Sequence, residues 1–243
     1  MSNAAGSQYA GTELDILAGA VNYHRWILAG FRPYLGKTVA EVGAGIGSVS
    51  KLLLETPLER LIAFEPSANL YPVLARELEG ENRAAAINDV FRPSSTPDGV
   101  DSIVYINVLE HIENDRGELE SATQALRPGG HLLVFVPALA WLYSEFDKHV
   151  GHVRRYTKRG LTELARDVGF EVVRARYFDV AGIAPWYVGF VLLKGKPRAG
   201  SVTLYDKLVV PPMRLAEAIL PPPLGKNVLL VARKPPESED KSP

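Results

Sequence analysis

The stretch Thr38-Val39-Ala40-Glu41-Val42-Gly43-Ala44-Gly45-Ile46-Gly47-Ser48 constrains this chain more than any other. The apolar run Val39 to Val42 reads as a short buried strand, three glycines follow at alternate positions, and Ser48 to Glu55 reads as a helix. Glycines at a strand-to-helix turn allow backbone angles closed to other residues, and they let a ligand lie directly against the main chain. An ordinary tight turn carries the same local pattern, so its meaning depends on what surrounds it.

What surrounds it is a regular alternation of strands and helices. Leu61 to Phe64 is a second apolar strand closed by Glu65-Pro66-Ser67, with a helix over Ser67 to Glu79. Ala84 to Ile87 makes a third strand ending in Asn88-Asp89, and Asp101 to Ile106 a fourth. Asn107 to Ile112 reads as a turn, Asp115 to Leu126 as a helix, and Arg127-Pro128-Gly129-Gly130 as a breaker before the most apolar strand, Leu132 to Val136. Strands without polar alternation are expected where both sheet faces are covered. The pattern therefore predicts an α/β fold: a doubly wound, mainly parallel, seven-stranded sheet with an antiparallel last strand and an insertion before it.

The flanks differ in character. Apolar residues at helical spacing from Glu13 through Leu28 predict one N-terminal helix ended by Arg32-Pro33, so residues 12–37 read as a helical lid. Helix Lys158 to Val168 and strand Val172 to Tyr177 continue the core, spanning 38–178 and closed by Val228 to Ala232 within 226–234. Between them, residues 179–225 form an aromatic and proline-rich insertion read as a substrate cap, and 235–243 is a solvated tail. A length of 243 residues suits a single domain with this elaboration.

Composition removes several function classes. There are no cysteines, so disulfides, thiolate metal sites and cysteine nucleophiles are excluded. A net charge of -1 argues against a nucleic-acid partner, which a basic excess would announce. Residues 1–11 lack the basic start and apolar core of a signal peptide, and the run Val180 to Leu193 is interrupted by Pro185 and too short to span a bilayer. The expected location is the cytoplasm.

Several separated pieces together resemble the class I S-adenosylmethionine-dependent methyltransferases, within a subgroup acting on small molecules. They are Glu41-Val-Gly43-Ala-Gly45-Ile-Gly47, the acid Glu65, Asn88-Asp89-Val90, Asn107-Val-Leu-Glu110-His111 and Leu126-Arg-Pro128-Gly129-Gly130. The segment Leu142 to Thr157 resembles a signature of that subgroup. The resemblance implies S-adenosylmethionine as cofactor, with its methionine part packed on Gly43, Ala44 and Gly45 and its ammonium near Glu41 and the Asn107 carbonyl. It further implies that Glu65, followed by Pro66, clasps the ribose hydroxyls, that Asp89 and Val90 meet the adenine, and that Val108 is a further cofactor contact. Tyr23 and Trp26 would close over the methionine end, with Trp26 also touching the acceptor. A nicotinamide dehydrogenase uses a similar turn, but here Ser48 stands where its fingerprint wants a third Gly or Ala.

Methyl transfer to a hydroxyl or phenol needs a base, and imidazole is the side chain tuned nearest neutral pH. His152, in a polar and aromatic-flanked loop after the fifth strand, is the first candidate, with His111 and Tyr156 as further catalytic candidates. A hydrogen bond from His152 to Asp147 that merely holds the loop is the structural alternative. Related enzymes with a Glu-x-x-Glu-His run bind a divalent ion, but Asn107 stands where the first Glu would be, so no metal is expected. The basic run Arg154, Arg155, Lys158 and Arg159 is either a solvated helix start paired to Glu163 and Asp167, or a grip in which Arg155 holds an anionic acceptor. Tyr143, Trp186 and Tyr187 are the remaining acceptor-pocket candidates. The insertion could instead form a homodimer contact or rest on a membrane surface. The expected activity is methyl transfer to oxygen or nitrogen of a small molecule; the alternatives are a lipid-linked or isoprenoid anionic acceptor, and an inactive cofactor-binding partner protein.

Overall fold

The computed structural model describes residues 8–9 and 14–237. Seven strands make one sheet: β1 (Thr38–Val42), β2 (Arg60–Phe64), β3 (Ala84–Ile87), β4 (Val100–Ile106), β5 (Leu126–Pro137), β6 (Glu171–Phe178) and β7 (Asn227–Arg233). Their order is β3-β2-β1-β4-β5-β7-β6. Strands β1 to β5 are mutually parallel, and β7 runs antiparallel between β5 and β6. Chain order reverses direction between β1 and β4, and the crevice beyond the carboxyl ends of those two strands is where such sheets bind ligands.

Side chains alternate along β5, so consecutive residues serve opposite faces of the sheet. Leu132, Val134 and Val136 join one buried cluster with Tyr105, Leu119 and Leu161, supplied by β4, α5 (Asp115–Ala125) and α7 (Lys158–Asp167). Leu133 and Phe135 join the other with Phe31, Leu53 and Val210, supplied by α2 (Val21–Phe31), α3 (Ser48–Leu54) and α10 (Val210–Ile219). Each such side chain contributes about 1.5–3 kcal/mol on burial, which is why the central strands carry no polar alternation. Arg127 to Gly130 lie inside β5 rather than ahead of it, Gly129 taking φ 79° and a bulge absorbing the register shift against β4.

Two expected helices change shape. The N-terminal one is split into α1 (Leu14–Ala18) and α2, and its expected start at Glu13 lies outside the described residues. The break has a distant cause: the Asp206 carboxylate accepts the Asn22 and Tyr23 N–H groups at 3.2 and 2.8 Å, capping α2 from the insertion. The helix expected from Ser67 is confined to α4 (Tyr71–Glu77). Lys234, the last residue of the expected core, is tied to β5 through the Gly130 and Leu126 carbonyls.

Residues 145–150 form α6, whose start is a capping box in which Ser144 and Asp147 bond each other's backbone N–H. In the insertion, α8 (Ile183–Trp186) continues as a wide turn over Tyr187–Leu192, and α9 (Ala199–Leu204) continues over Tyr205–Val209 into α10. Pro211 and Pro212 cannot donate to the preceding turn, and the widened geometry falls just before them.

Candidate active site

The turn after β1 is bare main chain. Gly43, Gly45 and Gly47 have φ of 68, 59 and 85°, in the left-handed region open mainly to glycine. A Cβ on Gly43 would lie 2.5 Å from Val108 Cγ2, so the turn packs directly against the residue that follows Asn107 at the end of β4. Leu14 of α1 faces Gly45, its Cδ1 3.8 Å from where a Cβ would stand. Ala44 is buried and donates its N–H to Phe64 O at 2.9 Å.

Glu65 closes the cradle on the β2 side and is turned inward, not to solvent. Its Oε2 accepts the Gly45 N–H and its Oε1 the Ser67 N–H, both at 2.8 Å. An ionised carboxylate has about four acceptor positions, so each oxygen keeps a lone pair for a neighbouring hydroxyl. Pro66 follows, half-buried, and Asn88 fixes the strand end through the Glu65 carbonyl at 2.9 Å.

Glu41 is buried one strand away and accepts the Ser50 hydroxyl at 2.5 Å. Burial raises its pKa to about 8, opposed by the Ser50 bond and reinforced by the Glu65 charge. Among the described residues no ion pair reaches it, so a ligand ammonium would meet an acid waiting for a cation. Asp89 bonds its neighbour Val90 N–H at 2.8 Å and is ion-paired with Arg92, which together hold it below the ordinary carboxylate range. Val90 is half-buried. Asn107 is exposed with φ 54° and its N–H bonded to Phe135 O at 2.8 Å.

A second cluster lies where the loops after β4 and β5 meet. His152 Nδ1 sits 2.8 Å from Asp147 Oδ1, and His152 Nε2 sits 3.7 Å from Glu110 Oε1. The expected bond to Asp147 therefore exists, and it serves both readings: it holds the loop and leaves Nε2 unbonded. The His111 ring stands edge-on to His152 with centroids 4.7 Å apart, and burial with the neighbouring imidazole lowers its pKa to about 4. Glu110 is fully buried, neither of its oxygens has a hydrogen-bond partner, and burial raises it to about 7. Glu110, His111 and His152 each offer one atom within 4.8 Å of the others, a donor set chemically able to hold a divalent cation.

Several expected site residues are engaged elsewhere. Tyr156 is buried with its hydroxyl on Asp115 Oδ2 at 2.8 Å and Leu109 O at 3.2 Å. Burial and the Asp115 charge raise its pKa further, so it keeps its proton and cannot serve as base. Arg155 is buried and forks onto Asp147 with both bonds at 3.0 Å, its guanidinium under the Trp186 ring at 4.8 Å. That pairing replaces the expected grip on an anionic acceptor. Arg154 pairs with Asp115 and Arg159 with Glu163, whereas Asp167 takes Arg116.

Trp26 is buried on Phe178 with ring centroids 4.0 Å apart, which makes it core and not an acceptor contact. The Tyr23 hydroxyl lies 3.0 Å from both Asp179 Oδ2 and Asn227 Oδ1, inside a polar knot rather than over the glycine turn. The Tyr143 hydroxyl donates to the His152 carbonyl at 2.6 Å, bracing the His152 loop. Trp186 stacks on Phe190 and donates to Leu142 O at 3.0 Å, and Tyr187 stands outward beside Trp141.

Asp179 is the group that sequence reasoning missed. Fully buried at φ 62°, it receives the hydroxyls of Tyr23 and Tyr205, the Gly182 N–H at 3.0 Å and the Lys226 ammonium at 3.1 Å. Its one local signal is an acid immediately after a strand with a glycine three residues on.

The family model described as a methyltransferase domain matches residues 23–175. An uncharacterised methyltransferase of Geobacillus kaustophilus is 31% identical over 158 residues, covering 63% of this chain and 68% of that protein. A probable S-adenosylmethionine-dependent methyltransferase of Mycolicibacterium smegmatis is 29% identical over 140 residues, and the match spans about half of that protein, 53%. Among solved structures, an S-adenosylmethionine dependent methyltransferase from Mesorhizobium loti superposes with a TM-score of 0.60 at 15% identity, covering 90% of this chain and all of the other. The residues fit the cofactor of this fold, since the cradle combines exposed main chain, an inward carboxylate with free lone pairs and a buried acid lacking a cation. By sequence and by fold, the chain belongs to this methyltransferase family and is a class I S-adenosylmethionine-dependent methyltransferase.

Proposed function

We propose that the chain moves a methyl group to an oxygen or nitrogen of a small organic molecule, with His152 as the general base. The observation that carries the reading is the Asp147–His152 pair: Nδ1 bonded at 2.8 Å and Nε2 left facing the junction of the β4 and β5 loops. A carboxylate on Nδ1 fixes the tautomer and supports the imidazolium once Nε2 has taken a proton. Asp147 is itself fixed by Arg155 and Ser144, so the imidazole is aimed by a buried frame. Glu110, 3.7 Å from Nε2, stabilises the same imidazolium in its ionised form.

When bound, S-adenosylmethionine supplies an electrophilic methyl on a sulfonium. Gly43, Ala44 and Gly45 would carry its amino-acid part, Glu41 and the Asn107 carbonyl its ammonium, and Glu65 its ribose hydroxyls. Asp89 and Val90 would border the adenine, and Val108, packed on Gly43, would border the cofactor beside Asn107. The chain's own part is alignment, exclusion of water and removal of the acceptor proton. Of the expected lid, α1 borders the cradle, with Leu14 facing Gly45, while α2 packs into the core; residues 179–225 act as the cap on the acceptor side.

A panel of phenols, alcohols and amines assayed with labelled cofactor tests the reading. His152→Ala should keep affinity for S-adenosylhomocysteine and lose roughly 10²–10⁴-fold in turnover, with chelator causing no loss. Full turnover by the variant refutes the base role. Loss to chelator, restored by a divalent ion, assigns Glu110, His111 and His152 to a metal instead. A second reading, an acceptor with an isoprenoid or acyl chain, is supported by the exposed Leu192 and Leu193 of the insertion. It predicts turnover only on detergent-solubilised lipids. Cofactor binding without turnover on any acceptor would leave the chain a cofactor-binding partner protein.

A further inference from the structure

The long helix running from α9 into α10 is amphipathic in the reverse sense for an element facing water. Asp206, Val210 and Glu217 lie on its inner side and are buried. Leu204, Leu208, Leu215 and Ile219 lie on its outer side and are 60, 64, 66 and 77% exposed. Their spacings of four, seven and four residues keep them on one side of the helix. In the helix begun by α8, Val188 is exposed, as are Leu192 and Leu193 about a turn later. Trp141 and Tyr187, rings 5.7 Å apart, are also exposed, and such amphipathic rings favour the boundary between lipid and water.

Charge identifies what this surface suits. Every exposed charged side chain in residues 183–225 is a cation: Lys194, Lys196, Arg198, Lys207 and Arg214. The two acids of the segment point inward, Asp206 onto the N–H groups of Asn22 and Tyr23, Glu217 onto those of Asp179 and Val180. Glu145, an exposed acid within electrostatic reach of Lys194, is paired with Lys148. Within residues 183–225 of a chain of net charge -1, the exposed leucines are thus accompanied only by cations. A second copy would set cation against cation, because a two-fold contact joins a patch to itself.

We propose that this face of residues 183–225 docks on an anionic phospholipid bilayer, with the leucines in the headgroup–acyl boundary and the cations on lipid phosphates. Among the described residues no helix is long and apolar enough to cross a membrane, so the contact is with the surface. The inference is independent of which acceptor is methylated, since binding to lipid is read without turnover.

Sedimentation of the full chain with vesicles of phosphatidylcholine, alone or mixed with phosphatidylglycerol, is the test. The chain should pellet with the mixed vesicles only, and less as salt rises. Each surface cation near anionic lipid contributes about fivefold, so Lys207→Gln with Arg214→Gln lowers partitioning roughly 30-fold. Leu208→Asp with Leu215→Asp should abolish it. Affinity for S-adenosylhomocysteine serves as the control for folding; if the leucine variant does not fold, the cation variant decides alone. Wild type that ignores vesicles, binds both kinds equally, or is indifferent to the cation substitutions overturns the proposal. So does a dimer abolished by the leucine substitutions in the absence of any vesicle binding.

Discussion

In Glu41→Gln the buried acid of β1 keeps its shape and its bond from Ser50 but loses the ability to ionise. Burial lifts the Glu41 pKa from 4.5 to about 8, which corresponds to an upper limit of about 5 kcal/mol and, with local relaxation, to about 2–5 kcal/mol. The sign follows from which state holds the proton. The folded pKa lies above the unfolded one, so the folded chain retains a proton that the unfolded chain releases between pH 4.5 and 8. The contribution is fully present below pH 4.5 and is lost as pH rises towards and through about 8. Denaturant unfolding of both proteins at several pH values reads this directly. Wild type should lose stability relative to the variant from pH 5 to 8, while the changes due to Glu110 and His111, common to both, cancel. In the same variant, affinity for S-adenosylhomocysteine should fall, and the proton that wild type releases on binding at neutral pH should disappear from titrations in buffers of different ionisation enthalpy. Parallel stability curves, or equal proton release, would refute the reasoning.

Two further substitutions separate scaffold from site. Gly43→Ala places a methyl 2.5 Å from Val108 at a φ of 68°, so it should cost about 2–4 kcal/mol in a thermal melt and weaken cofactor binding; an unchanged melt would show that the turn relaxes freely. Tyr156→Phe removes a hydroxyl bonded to Asp115 and Leu109, and should cost about 1–2 kcal/mol in stability while leaving turnover intact. A selective loss of turnover would return that tyrosine to the chemistry.

The sheet was legible because its signals are local. Leu132 to Val136 has no polar residue in it, and a strand covered on both faces needs none, so position and type follow from five letters. The glycine turn was legible for a similar reason, since left-handed backbone leaves a mark in residue type, and Glu65 was legible as the acid that ends the neighbouring strand and matches the family pattern. What escaped was decided by partners far along the chain. Near residue 20 only Gly19 hints at a helix break, a weak signal, because the cap that fixes the break is Asp206. Arg155 and Tyr156 read as reactive in sequence, yet Asp147 and Asp115 already occupy them. Tyr23 and Trp26 both pack on Phe178, and the Tyr23 hydroxyl is drawn into the polar knot by Asp179 and Asn227, partners far along the chain. Asp179 collects groups from residues 23, 182, 205 and 226, a convergence that only the folded chain displays.

Calorimetric titration with S-adenosylhomocysteine, on wild type and on Glu65→Ala, puts the central claim most directly to the test. A cradle built of the turn after β1 and the inward carboxylate of β2 predicts saturable binding by wild type, none to NAD, and a loss of about 100-fold or more once the two hydroxyl bonds to that carboxylate are gone. Binding of NAD in place of the sulfur compound, or a variant that binds as tightly as its parent, would contradict it.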